Sequence, residues 1–218
     1  GDLMKAIDNP DKPYRNSILI TAEKIGGVAD TKAWIEKSKS LSSAVQSDII
    51  LMLGRRKDIA AIPYLKSSLN SGSAEVRGSA AYALTSLIGT GAQNDLISLV
   101  KRTSSVDELA YIESLLITIS DKKHISPYAD LLKNSSAPAQ TVAINVIAAK
   151  SASGLFDQVF PFTSNGDAKL KEAAFKSLKR ISQEENVDQL MALLYKADSD
   201  FEIMETQKAL ISAVDGIS

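Results

Sequence analysis

The chain repeats itself every 31 residues. Read from Asp11, the same kind of residue returns at Asp11, Ser42, Ser73, Ser105, Ser136, Asp167 and Asp198. Each can cap a helix N-terminus, its side-chain oxygen accepting from the orphan amides of the first turn. A second series, Leu3, Trp34, Leu65, Leu96, Tyr128, Val159 and Leu190, runs in phase with the first. Both slip by one residue at the same place, between Leu96 and Ser105, so one insertion explains both. A fixed period of this size is the signature of stacked helical hairpins, each unit covering the apolar face of the next.

Counting from the capping residue, position three holds Tyr14, Val45, Val76, Glu108, Ala139, Leu170 and Phe201. Position seven holds Ile18, Ile49, Ala80, Ile112, Ala143, Ala174 and Glu205; position eleven holds Ala22, Leu53, Leu84, Leu116, Ile147, Leu178 and Ala209. Apolar residues four apart form one face of a helix. This helix A should run for roughly 13 residues, about 20 Å. A turn follows, with Gly26-Gly27 in the first unit and Gly89 in the third, where left-handed backbone is cheap. Helix B carries the second series, as in Ile62, Leu65, Leu69 and Val187, Leu190, Leu194. Six full repeats start near residues 11, 42, 73, 105, 136 and 167, with half repeats at 1–10 and 198–218. No composition shift marks a boundary, so residues 1–218 read as a single solenoid. Pro161 sits inside LFDQVFPFTSNG, where it removes an amide donor, so that helix B should be short or bent.

The third unit, SAEVRGSAAYALTSLIG, resembles the HEAT-repeat family in Val76-Arg77, Ala80, Ala81, Ala83, Leu84, Leu87 and Gly89. Asp11 with Tyr14-Arg15 and Asp167 with Leu170-Lys171 match more loosely, and the length is similar to the short repeats common in bacteria. The resemblance implies an all-α, right-handed α-α superhelix of antiparallel helix pairs. It further implies binding of partner macromolecules on the concave helix B surface, without chemistry of its own. Gln46, Leu109, Gln140 and Glu202 stand where the family often has arginine, so a ladder of Arg–Asp contacts between repeats should be broken.

Composition narrows the function classes. Hydrophobic residues make up 44%, enough for a packed core. With 25 basic and 26 acidic residues the net charge is -1, so no overall field draws the chain to nucleic acid or anionic membrane. There is no cysteine, which removes disulfides, thiolate metal sites and cysteine nucleophiles but leaves the compartment open. No apolar run approaches the length of a membrane span, so no membrane insertion is expected.

No catalytic, cofactor-binding or metal-binding residues are expected. The one histidine, His124, lies in the turn SDKKHIS, where a solvated role outweighs general-base catalysis. Asp198, Asp200 and Glu202 are close in sequence, but the repeat explains Asp198 as a cap. Gly26-Gly27 and Gly89-Thr90-Gly91 follow helices rather than strands, which fits helix ends and not a phosphate loop.

Basic residues gather at the turns between helices A and B: Arg55, Arg56 and Lys57; Lys122 and Lys123; Lys150; Lys179 and Arg180. In a solenoid such turns line one edge and could hold an anionic polymer. The macrodipole alone places cations at helix C-termini, and the aromatic interleaving of single-strand binders is missing, which argues against nucleic acid. Among the aromatics, Tyr14, Trp34, Tyr128, Phe156, Phe175 and Phe201 occupy core positions, whereas Tyr64, Phe160 and Tyr195 fall beside the core position of helix B. These three are the candidate contacts for a protein partner. The expected function is a non-catalytic interaction or scaffold module. The alternatives are an accessory solenoid segment of a larger multidomain enzyme, and nucleic-acid or anionic-polymer binding along the basic turns. Apolar residues in phase at both ends, from Leu3 to Ile7 and from Ile203 to Val214, lead us to expect an excised piece of a longer array or of a larger protein.

Overall fold

The structure is a computed structural model that describes residues 2–25 and 27–215. Residues 1, 26 and 216–218 lie outside it, among them the Gly26 half of the first turn and the end of the last half repeat. Among the described residues the regular elements are all helical. The first short helix B is α1 (Asp2–Ala6). Six helix A–helix B pairs follow: α2 (Lys12–Lys24) with α3 (Val28–Ser38); α4 (Ser43–Arg55) with α5 (Ile62–Ser68); α6 (Ala74–Ile88) with α7 (Gln93–Val100). Then come α8 (Val106–Ile119) with α9 (Ser126–Lys133), α10 (Ala137–Ala149) with α11 (Phe156–Val159), and α12 (Ala168–Ile181) with α13 (Val187–Lys196). A last helix A, α14 (Asp200–Asp215), follows.

Internal contacts divide the chain into two compact units, residues 1–99 and 100–218. The division falls in the stretch where the sequence register slips by one residue. In the first unit α4 packs between α2 and α6, while α1, α3 and α5 each pack on the helix A that follows them. In the second unit α8, α10, α12 and α14 pack in succession, and α9, α11 and α13 again each meet the next helix A.

The register explains the packing. Ala22, Leu53 and Leu84 are fully buried in the first unit, and Leu116, Ile147, Leu178 and Ala209 in the second. Six helices A begin directly after their expected N-cap residue, whose backbone is extended and whose carbonyl accepts the first helical bond. The side-chain half of the cap is made only by Ser73, Ser105 and Asp167. Asp11, Ser42 and Ser136 make no such bond. The expected cap at Asp198 is displaced: Ser199 Oγ accepts from Glu202 N at 3.3 Å, and its carbonyl accepts from Ile203 N. α14 keeps Glu205 and Ala209 of the expected register buried and adds Glu202, Thr206 and Ala213.

Each helix B from α5 onward is entered through a 3-10 turn. Asp58 and Asp121 cap two of these turns, accepting from Ala60 N at 2.9 Å and Lys123 N at 2.8 Å. At the helix A exits Gly89 takes φ 52°, as the sequence suggested, and Lys57 and Ser151 take φ 55° and 48° without being glycine. The fifth helix B is broken as expected: α11 is four residues long and gives way to a 3-10 segment, Phe160–Ser164, at Pro161.

One core assignment fails. Tyr14 is 44% exposed, because α2 has only the five-residue α1 before it and nothing described covers its third position. Its neighbour Arg15 is buried instead and donates to the carbonyls of Asn9 and Pro10 at 2.9 and 2.8 Å. Trp34, Tyr128, Phe156 and Phe175 are buried, and Phe201 lies half-buried, edge-on to Phe175 at 6.1 Å.

Two helices approach closely at Gly54 of α4. A Cβ there would lie 2.7 Å from Ala83 Cβ and 2.8 Å from its Cα on α6. Gly54→Ala should therefore lower stability by about 1 kcal/mol or more in urea unfolding, since the overlap outweighs alanine's helix preference. A stabilised variant would mean that α4 and α6 do not approach this closely.

Candidate functional site

The candidate residues of helix B separate sharply. Tyr64 is 9% exposed, and its hydroxyl is shared with Ser38 Oγ at 2.6 Å and Gln46 Nε2 at 3.0 Å. It ties three elements together and offers no contact surface, since its OH reaches a partner inside the core. Tyr128 follows the same rule with Ser120 at 2.6 Å, and burial pushes its hydroxyl up to about 12. Phe160 is half-buried and stacks on Phe156 with ring centroids 5.2 Å apart. Tyr195 is different: at 82% it is the most exposed large apolar side chain described, and exposed Met191 sits one helical turn before it on α13.

Several basic candidates serve the fold. The Arg56 guanidinium donates to the carbonyls of Ala22 at 2.9 Å, Ile25 at 3.0 Å and Gly27 at 3.2 Å, closing the C-terminal end of α2 from the next repeat. Arg55 is paired with Glu23. Lys57 is exposed on the left-handed turn residue; Lys122 and Lys123 lie exposed in the 3-10 turn before α9; Lys179 and Arg180 are exposed at the end of α12. His124 Nδ1 lies 2.9 Å from Asp121 Oδ1, and this bond holds the Asp121 carboxyl below its usual range. Among the described residues no three His, Asp or Glu side chains are grouped to hold a metal ion.

Polar links join neighbouring repeats in place of an Arg–Asp ladder. In the first unit Glu23 meets Arg55, and Lys66 meets Asp95 at 2.9 Å. In the second, Lys171 meets Glu202 at 2.6 Å, Gln189 meets Asp157 at 3.4 Å, and Asn145 Nδ2 donates to both oxygens of Glu113 at 3.1 and 3.0 Å. Each pair spans about one repeat. Glu202, which stands where the family often has arginine, pairs with Lys171 of the preceding repeat instead.

Surfaces that the sequence reading missed lie on helix A. A groove of about 420 Å³ between α2 and α4 is lined by Leu19, Ile20 and Leu51 together with Lys12, Glu23 and Arg55. Ile20, Leu51 and Tyr82 share position nine of their repeats, and Ile20 and Tyr82 are exposed. The equivalent residues in the second unit are Ser114, Asn145 and Lys176. This contrast was legible in the repeat, but position nine lies outside the apolar four-residue spacing that defined the core. A second groove, about 210 Å³, lies between α8 and α10 with Glu113 in its wall.

No protein-family model matches the sequence, and no curated protein matches it. Among solved structures it is similar to that of the CpcE–CpcF complex of phycocyanin lyase from Nostoc sp. PCC7120, at 17% identity, covering 95% of this chain and 92% of that one, with a TM-score of 0.47. YibA from E. coli matches at 14% identity over 95% and 91% of the two chains, with a TM-score of 0.49. Human deoxyhypusine hydroxylase in complex with glycerol matches at 13% identity over 98% and 95%, with a TM-score of 0.45. At these values no activity carries over, and the helical-repeat fold stands on the chain's own geometry.

Two predictions follow from the local chemistry. Arg56→Ala should cost about 1 to 2 kcal/mol, because three carbonyls lose a charged donor, while Lys122→Gln with Lys123→Gln should stay within about 0.5 kcal/mol. Chemical denaturation of the two variants compares them directly, and equal losses would remove the structural role of Arg56. For Glu113, burial raises the carboxyl above its ordinary value, opposed by the Asn145 bond. A raised acid favours the folded state below the unfolded value and loses that contribution as pH rises through the folded value. Glu113→Gln should therefore melt at a higher temperature than the parent at pH 7, with the gap closing below about pH 4. A variant that melts lower at pH 7 would show that the carboxylate is well solvated.

Proposed function

We propose that this chain is a non-catalytic protein-interaction module of HEAT-like repeats, residues 1–218 forming one array, and that a protein partner binds on a helix B surface. The observation that supports the reading is the Met191–Tyr195 pair. An 82% exposed tyrosine one turn from a methionine contributes nothing to the core of α13, and it is a residue pair of the kind that dominates interface energetics. Lys179 and Arg180 sit in the last turn of α12, where the helix macrodipole favours cations, and Arg55 and Arg56 are held by partners in the preceding repeat.

The test uses the intact chain, immobilised and exposed to extract of its source cells. Retained proteins are identified, and the tightest is titrated against the parent and a Met191→Ser, Tyr195→Ala variant. Both side chains are exposed, so the fold should survive. The affinity is expected to fall by about tenfold or more. Retention untouched by the variant, and falling by orders of magnitude between roughly 50 and 200 mM salt, would replace this reading with the anionic-polymer one.

A further inference from the structure

The carboxylates that link neighbouring repeats mostly meet a cation. Glu23 has Arg55, Asp95 has Lys66 and Glu202 has Lys171. Glu113 on α8 meets a neutral amide, Asn145 Nδ2 of α10. A carboxylate has about four acceptor positions, and one amide group leaves some of them open. Glu113 is also partly buried in the wall of the groove between α8 and α10, whose lining is otherwise mostly apolar, with Val106, Leu109, Ala110, Pro138 and Val142 beside Thr141. Asp167 and Lys169 stand at the rim with opposite charges, so the net charge of the groove is that of Glu113. An apolar wall strengthens the attraction for an incoming cation and excludes the water that would otherwise screen it.

The size narrows the occupant further. About 210 Å³ is below the range of pockets for drug-sized ligands and suits one or two side chains. Val106 is 69% exposed, leaving the lip open to solvent. We propose that the α8–α10 groove is a docking site for a short segment of a partner protein that carries an aliphatic side chain next to a lysine or arginine. The aliphatic chain rests on Leu109 and Val142, and the cation meets Glu113. The partner's ammonium or guanidinium then supplies the kind of counter-charge that Glu23, Asp95 and Glu202 find in the neighbouring repeat. This deepens the interaction-module reading and rests on it, but it uses a different surface from Tyr195.

The probe is an acetylated, amidated heptapeptide with a central Leu-Lys pair in a Gly-Ser background, titrated into the isotope-labelled full chain and followed by backbone amide shifts. The expected result is saturable shifts at the amides of Leu109, Ala110, Thr141 and Val142. Replacing the lysine by norleucine, or the leucine by glycine, should weaken binding by about fivefold, and replacing the lysine by glutamate by more. Glu113→Gln should remove the preference for lysine over norleucine while leaving norleucine binding unchanged. Val106→Ser, an exposed change that spares the core, should weaken both peptides. Equal binding of the lysine and glutamate peptides, shifts centred elsewhere, or no saturable shift up to roughly 10 mM, where a weak contact should show, would each overturn the docking site. None of these outcomes touches partner retention through Tyr195, so failure here and failure of the module reading are told apart.

Discussion

The burial of each helix against elements one repeat away carries everything else in this structure. The helices B are 4 to 11 residues long after α1, shorter than an isolated helix needs to persist in water. They exist because Trp34, Leu65, Leu96, Tyr128, Val159 and Leu190 are buried against their neighbours. The helices A depend on each other in the same way, and small residues such as Gly54, Ala80, Ala143 and Ala174 set how near they come. No strand pairing or long-range closure is needed, so the apolar register alone positions the surface residues.

That surface divides into two kinds of region. Where a polar side chain finds a partner in the next repeat, as Lys171 does in Glu202, the pair contributes to the stack. Where position nine is apolar, as at Ile20 and Tyr82, or where a carboxylate meets only an amide, as at Glu113, grooves stay open between successive helices A. The interaction-module reading draws on both the open grooves and the exposed end of α13.

The fold was legible in the sequence because periodicity records burial. The cap positions located six helix starts, and Pro161 located the broken helix B. Burial of individual side chains was less legible. Tyr14 sits in a core position that nothing covers, and Tyr64 sits beside the core, yet its hydroxyl is drawn inward by Ser38 and Gln46. Both outcomes depend on what neighbouring elements supply, which spacing along one helix does not encode. The shift from Asp198 to Ser199 has a simpler cause: two adjacent residues can both cap, and the length of the connector chooses between them. Glu113 does not stand out in the sequence, because its character comes from the groove around it and from an asparagine 32 positions away.

The links between repeats carry one more implication. The apolar positions are nearly interchangeable from one repeat to the next, but the polar partners are not: Glu with Arg, Lys with Asp, Glu with Asn, Lys with Glu. A repeat moved to another place in the chain, or duplicated by recombination, would still complete the core. It would arrive with the wrong polar partners and leave donors and charges unmatched at both new borders. The hydrophobic register thus makes the repeats alike enough to stack, and the polar pairs give each one an address.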